Sequence, residues 1–300
     1  MNRPAFEVIR TDVLEIACLQ GGPKDGYPLM LLHGWPDDVT GWKDVTPALE
    51  AAGYRWIAPW LRGFGETRFR SERSPRDGST AALARDALDL ADALGFEQFS
   101  VVGHDWGGRA AYAMAALAPK RLHALAVLAI GYSPRGRFEV PSWDQSARWW
   151  YQWLMTCEAG VKKIEADPIA FARWQWDNWS PPGWFDETDF VQAAQSFRNP
   201  DWLAITLHGY RHRWQSEPLN PRYSSDRARI EATEKLGVAT LMIQGGEDHC
   251  DPPSESEDQA SLFLAPYQRL VLDGVGHFPA REAPAAVTDA LFKFFKERTR

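Results

Sequence analysis

The chain has 300 residues, 45% of them hydrophobic, and a formal charge of -7; that length suits a single α/β domain carrying an insertion and is ample for a large core. The charge is spread without runs, which argues against nucleic acid or an anionic membrane as partner, and no run of about 18 apolar residues could span a bilayer. No signal-like stretch opens the chain, and the three cysteines (Cys18, Cys157, Cys250) are odd in number and outside metal spacing, so a reduced cytoplasmic setting without metal or cofactor is expected.

Phe6 to Arg10 and Val13 to Leu19 alternate apolar and polar residues, which predicts two antiparallel edge strands turning at Thr11-Asp12. Pro28 to Leu32 reads as a buried strand opening into His33-Gly34-Trp35-Pro36, with a helix from about Gly41 to Ala52 after it. Arg55 to Pro59 is the next strand, and Arg62-Gly63-Phe64-Gly65-Glu66-Thr67 is its loop. Helical spacing covers Thr80 to Leu94, a strand Phe99 to Val102, a helix Trp106 to Ala118 and a strand Leu122 to Ile130. Buried strands alternating with amphipathic helices predict an α/β fold with a mostly parallel central sheet and helices on both faces.

The texture changes after Gly131. Ten of the fifteen tryptophans fall between Ser133 and Ile230, with several prolines and no strand-like run. This segment reads as a helical lid insertion, residues 133–230, between core segments 1–132 and 231–300, and most of its rings read as packing residues. The sheet resumes at Val238 to Gln244; a loop through Asp248 to Pro253, a helix, a strand Arg269 to Leu272, a loop Gly274 to Pro279 and a closing helix to Lys296 follow.

The chemistry centres on Ser100 to Arg109, where an apolar strand meets Gly103-His104-Asp105-Trp106-Gly107 and then a helical pattern. A sharp strand-to-helix turn leaves no room beside it for Cβ atoms, so glycines two residues either side mark Asp105 as the tip of a nucleophile elbow. A carboxylate is already an anion at neutral pH and needs no base to attack. Attack on saturated carbon gives an ester that water can cleave, so epoxides and alkyl halides are its natural targets.

Such a nucleophile needs a base and an orienter, placed after later strands where strand ends gather. His277 and Asp248 lie in glycine-rich loops directly after apolar strands, in the order nucleophile, acid, histidine. Asp248 comes sooner after its strand than Asp251 and is preferred to it and to Glu247. His104 and His33 read as structural histidines, and the backbone N–H groups of Trp35 and Trp106 as an oxyanion hole.

The chain resembles the epoxide-hydrolase and haloalkane-dehalogenase branch of the α/β-hydrolase fold superfamily. It matches in His33-Gly34-Trp35-Pro36, Gly63-Phe64-Gly65-Glu66-Thr67, Gly103-His104-Asp105-Trp106-Gly107-Gly108 and Gly276-His277-Phe278-Pro279. The resemblance implies a small-molecule substrate, an epoxide or organohalide, with no cofactor, acting as a monomer or homodimer. Epoxide hydrolases of this kind carry two lid tyrosines that protonate the epoxide oxygen. Tyr151-Gln152 resembles the first site and Tyr210 to Trp214 the second, with Tyr132 and Tyr223 as substitutes and the spacing shorter than in larger members.

The resemblance extends to fluoroacetate dehalogenases through Arg109, one turn past Asp105, although they carry an arginine where this chain has Trp106. Arg109 and Trp150 are candidate substrate contacts, an outward or lid-bridging Arg109 being the favoured placement. The leading expectation is epoxide hydrolysis, the alternative dehalogenation of a haloalkane or haloacid, and the third a non-catalytic ligand-binding member.

Overall fold

A computed structural model describes residues 5–133, 140–214 and 220–296. Its strands are β1 (Glu7–Arg10), β2 (Leu14–Gly21), β3 (Tyr27–Leu32), β4 (Tyr54–Pro59), β5 (Arg68–Phe69), β6 (Phe99–His104), β7 (Leu122–Leu128), β8 (Ala239–Gly245) and β9 (Tyr267–Leu272). They form one sheet in the order β1-β2-β4-β3-β6-β7-β8-β9, with β5 beside β2. The pairs made by β2 are antiparallel, and those from β3–β4 to β8–β9 are parallel. Every residue of β6, in the middle of the sheet, is buried, because helices cover both faces of its parallel part.

The core helices are α1 (Thr46–Ala51), α2 (Thr80–Ala93) and α3 (Trp106–Leu117). Between β7 and β8 run α4 (Trp143–Arg148), α5 (Trp150–Leu154), α6 (Glu158–Ala166), α7 (Pro168–Asn178), α8 (Glu187–Ala193), α9 (Trp202–Arg211) and α10 (Ser224–Ala232). The chain closes with α11 (Pro279–Glu282) and α12 (Pro284–Lys296). Local chemistry explains the boundaries. The Ser79 hydroxyl caps α2 by accepting from the Ala82 amide, and Asp167 caps α7 with Pro168 in the first turn. In α12, Val287, Leu291, Phe294 and Phe295 share the face buried on the sheet. None of the described helices is long and apolar enough to cross a membrane.

Three local expectations differ from the structure. The helix expected from Gly41 to Ala52 is a 3-10 turn, Val39–Trp42, followed by α1. Pro47 has no N–H for the carbonyl four residues back, so one helix cannot run through. The helix expected before β9 is a pair of 3-10 turns, Pro253–Ser256 and Gln259–Leu262; Pro252 and Pro253 restrict its start, and Asp258 between the turns is left-handed at φ 53°. The two-residue β5 was not foreseen, being too short to show a period.

The tryptophans of the insertion serve mainly as packing and anchoring groups. Trp176 and Trp202 are fully buried, whereas Trp143, Trp150 and Trp174 are exposed. Trp176 donates its indole N–H to the Pro36 carbonyl at 2.7 Å, and core Trp35 donates to the Thr206 hydroxyl of α9 at 3.0 Å. The Asn199 side-chain amide donates to the carbonyls of Phe64, Gly65 and Thr67, which ties the insertion to the loop after β4.

The β6–α3 turn is as tight as the glycine spacing predicts. Asp105 has φ 46°, a region that L side chains rarely adopt. A Cβ on Gly107 would stand 2.2 Å from the Leu32 carbonyl oxygen, and one on Gly103 2.3 Å from that of Gly107. Backbone cannot yield as a flexible side chain can. Gly107→Ala is therefore expected to lower unfolding stability by about 3 kcal/mol or more, read as a fall in the urea midpoint at unchanged slope.

Candidate active site

Asp105 stands at the N-terminus of α3 with a nearly buried carboxylate, and the Trp35 amide donates to its Oδ1 at 2.8 Å. The Trp106 amide is the first of α3, one of the N–H groups that lack an intrahelical acceptor. Of the two donors anticipated around Asp105, the Trp35 amide is the one bonded to its carboxylate.

His277 comes from the loop after β9. Its Nδ1 donates to Asp248 Oδ2 at 2.9 Å, while Nε2 has no protein partner and lies 3.9 Å from Asp105 Oδ2. Asp248 Oδ1 in turn accepts from the amides of Cys250 and Asp251 at 2.8 and 2.9 Å. Burial pulls the His277 imidazole down, but Asp248, Asp105 and Asp251 outweigh it and push its pKa up to about 9. Burial raises the Asp248 carboxyl above the usual range, against the pull of His277. Asp251 makes no contact with the ring comparable to that of Asp248, so the preference for Asp248 agrees with the geometry.

The other two histidines nearby sit where their structural reading puts them. His33 Nε2 accepts from the Leu61 amide at 3.0 Å, which obliges Nδ1 to donate to the Gly34 carbonyl at 2.9 Å. His104 Nε2 donates to the His277 carbonyl at 2.7 Å. Burial pulls both down to about 4, so both are neutral at pH 7.

Tyr151 on α5 and Tyr210 on α9 meet above this group. Their ring centroids are 5.3 Å apart, and they pack on the Trp35 indole at 5.7 and 5.1 Å. Burial raises both phenols well above 10 and the Asp105 charge adds to this, so both hydroxyls keep their protons. The substitutes are engaged elsewhere: Tyr132 donates to the Thr233 carbonyl, and Tyr223 accepts from the buried Arg62.

The structure separates the two candidate substrate contacts. Arg109, expected outward or bridging to the lid, lines a cavity of about 710 Å³ together with Asp251, Tyr112 and Tyr132 and with Trp149 and Arg213 from the segment between β7 and β8. Trp150 lies at the surface, outside the cavity lining, with its ring edge-on to Tyr151, Phe171 and Trp174.

Several contacts had no sequence signal. Glu282 accepts from the amides of Gly276 and Phe278 at 2.6 and 2.8 Å and from the Ser180 hydroxyl at 2.7 Å, while Ser180 accepts from the His277 amide at 2.9 Å. The Trp179 ring lies 4.8 Å from the imidazole. Only tertiary folding brings these partners together. Glu282→Ala would strip two amides of their acceptor, and a loss of about 2 kcal/mol in stability is expected, measured by chemical denaturation.

Residues 27–284 match the model of the alpha/beta hydrolase fold family. The chain is 34% identical to the fluoroacetate dehalogenase of a Burkholderia species over 68% of this chain and 67% of that one. It is 24% identical to epoxide hydrolase A of Mycobacterium tuberculosis over 98% of both chains. Among solved structures, a candidate epoxide hydrolase from Klebsiella pneumoniae superposes with a TM-score of 0.92 at 34% identity, covering 97% of each chain. With a mostly parallel sheet of this order and helices on both its faces, the chain belongs to the α/β-hydrolase fold family, on the branch that holds the epoxide hydrolases, and is a hydrolase.

Proposed function

We propose that this protein opens epoxides to vicinal diols through a covalent ester at Asp105. The observation that carries this reading is the pair of protonated phenols, Tyr151 and Tyr210, packed on the Trp35 ring whose amide holds the Asp105 carboxylate. In this reading Asp105 attacks a ring carbon from one side while the phenols donate to the epoxide oxygen from the other. The C–O bond breaks, its electron pair stays on oxygen, and a phenolic proton neutralises it.

His277, held by Asp248, then takes a proton from water. The resulting hydroxide attacks the ester carbonyl of Asp105, the amides of Trp35 and Trp106 hold the oxyanion, and the diol leaves. Segment 133–230 acts as the lid, its aromatic rings keeping bulk water from the reactive step. Arg109 and the relative that is a fluoroacetate dehalogenase favour a second reading, in which the same groups displace halide from a haloacid.

Styrene oxide, a bromoalkane and fluoroacetate, each incubated with the enzyme, separate the two by gas chromatography of the diol and a halide electrode. Diol formation from the epoxide is expected; halide release without diol would move the assignment to the second reading. Tyr151→Phe and Tyr210→Phe are each expected to lower kcat/KM for the epoxide by about 10²-fold, measured in initial-rate assays.

A further inference from the structure

Tyr151 is the donor acid in the proposed reaction only if its proton is free to leave. A phenol oxygen both accepts and donates, and a buried one whose hydrogen is bonded away from the reacting oxygen would hold that proton back. The neighbours of Tyr151 decide between these cases. Gln152 Nε2 lies 3.0 Å from the Tyr151 hydroxyl, and Gln152 Oε1 lies 3.2 Å from Arg213 Nη1. Gln152 and Tyr151 are both buried, and the Arg213 guanidinium rests over the Trp149 ring at 4.9 Å.

Chemistry fixes the direction of this chain. Arginine has donors and no acceptor, so the amide must turn its oxygen to Arg213 and its NH₂ to the phenol. The Tyr151 oxygen is then an acceptor towards Gln152. Its own hydrogen is left for the opposite side, where its neighbours are the Tyr210 phenol, with which Tyr151 shares a hydrogen bond, and the Cys250 sulfur at 3.7 Å, a weak acceptor.

We propose that Gln152, held in one orientation by Arg213, is a positioning residue that directs the Tyr151 proton into the active site and supports the phenolate left behind. This rests on the reading of Tyr151 as an acid. During ring opening the proton passes from Tyr151 to the epoxide oxygen, the O–H bond breaking as the new one forms. The phenolate keeps the Gln152 N–H bond, which strengthens as charge develops. The proton that His277 takes from water later restores Tyr151, so epoxide and water balance to diol.

Gln152→Glu tests the proposal, because the variant is isosteric and its carboxylate also pairs with Arg213. It lacks the N–H, accepts from the phenol and draws the proton inward. In a His277→Gln background, where only ester formation is followed, mass spectrometry of quenched samples gives the alkylation rate with styrene oxide. Gln152→Glu is expected to slow alkylation by about 10²-fold, to match Tyr151→Phe, and to add nothing when combined with it. In the enzyme with His277 intact, hydrolysis of the preformed ester should be unchanged, and the thermal midpoint should not fall.

Arg213→Met, which frees the amide to rotate, should give a smaller loss of about 10-fold that Arg213→Lys restores. Alkylation by Gln152→Glu at the parent rate, or losses that multiply with Tyr151→Phe, would overturn the positioning role alone. Tyr151→Phe alkylating at the parent rate would instead remove the acid assignment on which the role rests.

Discussion

Replacing His277 with Gln is expected to cut steady-state turnover by about 10⁴-fold while leaving the first chemical step intact. In the proposed scheme Asp105 attacks as the anion it already is, so ester formation needs no base. Release needs one, and Nε2 is the imidazole atom that faces Asp105, 3.9 Å from Oδ2 and without a protein partner. The variant should therefore accumulate an enzyme heavier by one substrate, visible by intact-mass spectrometry, with the added mass on the peptide that holds Asp105. An unmodified mass after exposure to a substrate that the parent enzyme turns over would refute the two-step scheme.

The pH dependence of that second step follows from the charges around the ring. His277 is pushed up to about 9, and one of the charges doing so is Asp105. Alkylation turns this carboxylate into a neutral ester. The imidazolium loses a counter-charge, its pKa falls, and the neutral base appears before the step that requires it. Ester hydrolysis measured by rapid quench should accordingly rise with pH through a midpoint below about 9, the value of the free enzyme.

The parts of this arrangement that were legible in the sequence share a physical cause. Asp105, Asp248 and His277 each follow an apolar strand within a few residues, and a parallel sheet delivers the ends of such strands to one edge. Gly103 and Gly107 were legible because a Cβ at either would meet backbone. The tyrosine pair needed the family resemblance, since nothing in local spacing says that α5 and α9 converge.

The supporting contacts were hidden for a different reason. Glu282 reaches back to the His277 loop and Ser180 reaches it from the insertion, 97 residues away in sequence from His277. Arg213 meets Gln152 across 61 residues. A short-range pattern carries no information about such pairs. The surroundings of Arg109 were hidden in the same way: helical periodicity placed it on α3 but could not show that a cavity lay beside that face.

Asp105→Asn is expected to abolish turnover, by about 10⁴-fold or more, and to leave no covalent adduct. An amide oxygen is a poor nucleophile towards saturated carbon, and the variant keeps the size and hydrogen bonding of the turn. A second, independent effect distinguishes loss of charge from loss of fold. With Asp105 neutral, the His277 imidazolium is less stabilised, so its pKa should fall from about 9.

The sign of the stability change follows. A group whose folded pKa is raised adds stability below its unfolded value and loses it as pH rises through the folded one. For His277 that window runs from the ordinary 6.5 to about 9. The parent protein should lose part of its unfolding free energy across it, and Asp105→Asn should lose less. Histidine titration by NMR and urea unfolding at a series of pH values measure the two effects. An unshifted His277 titration in a folded Asp105→Asn protein would mean that the carboxylate at 105 does not act on the base, and the coupling between the two chemical steps would fall with it.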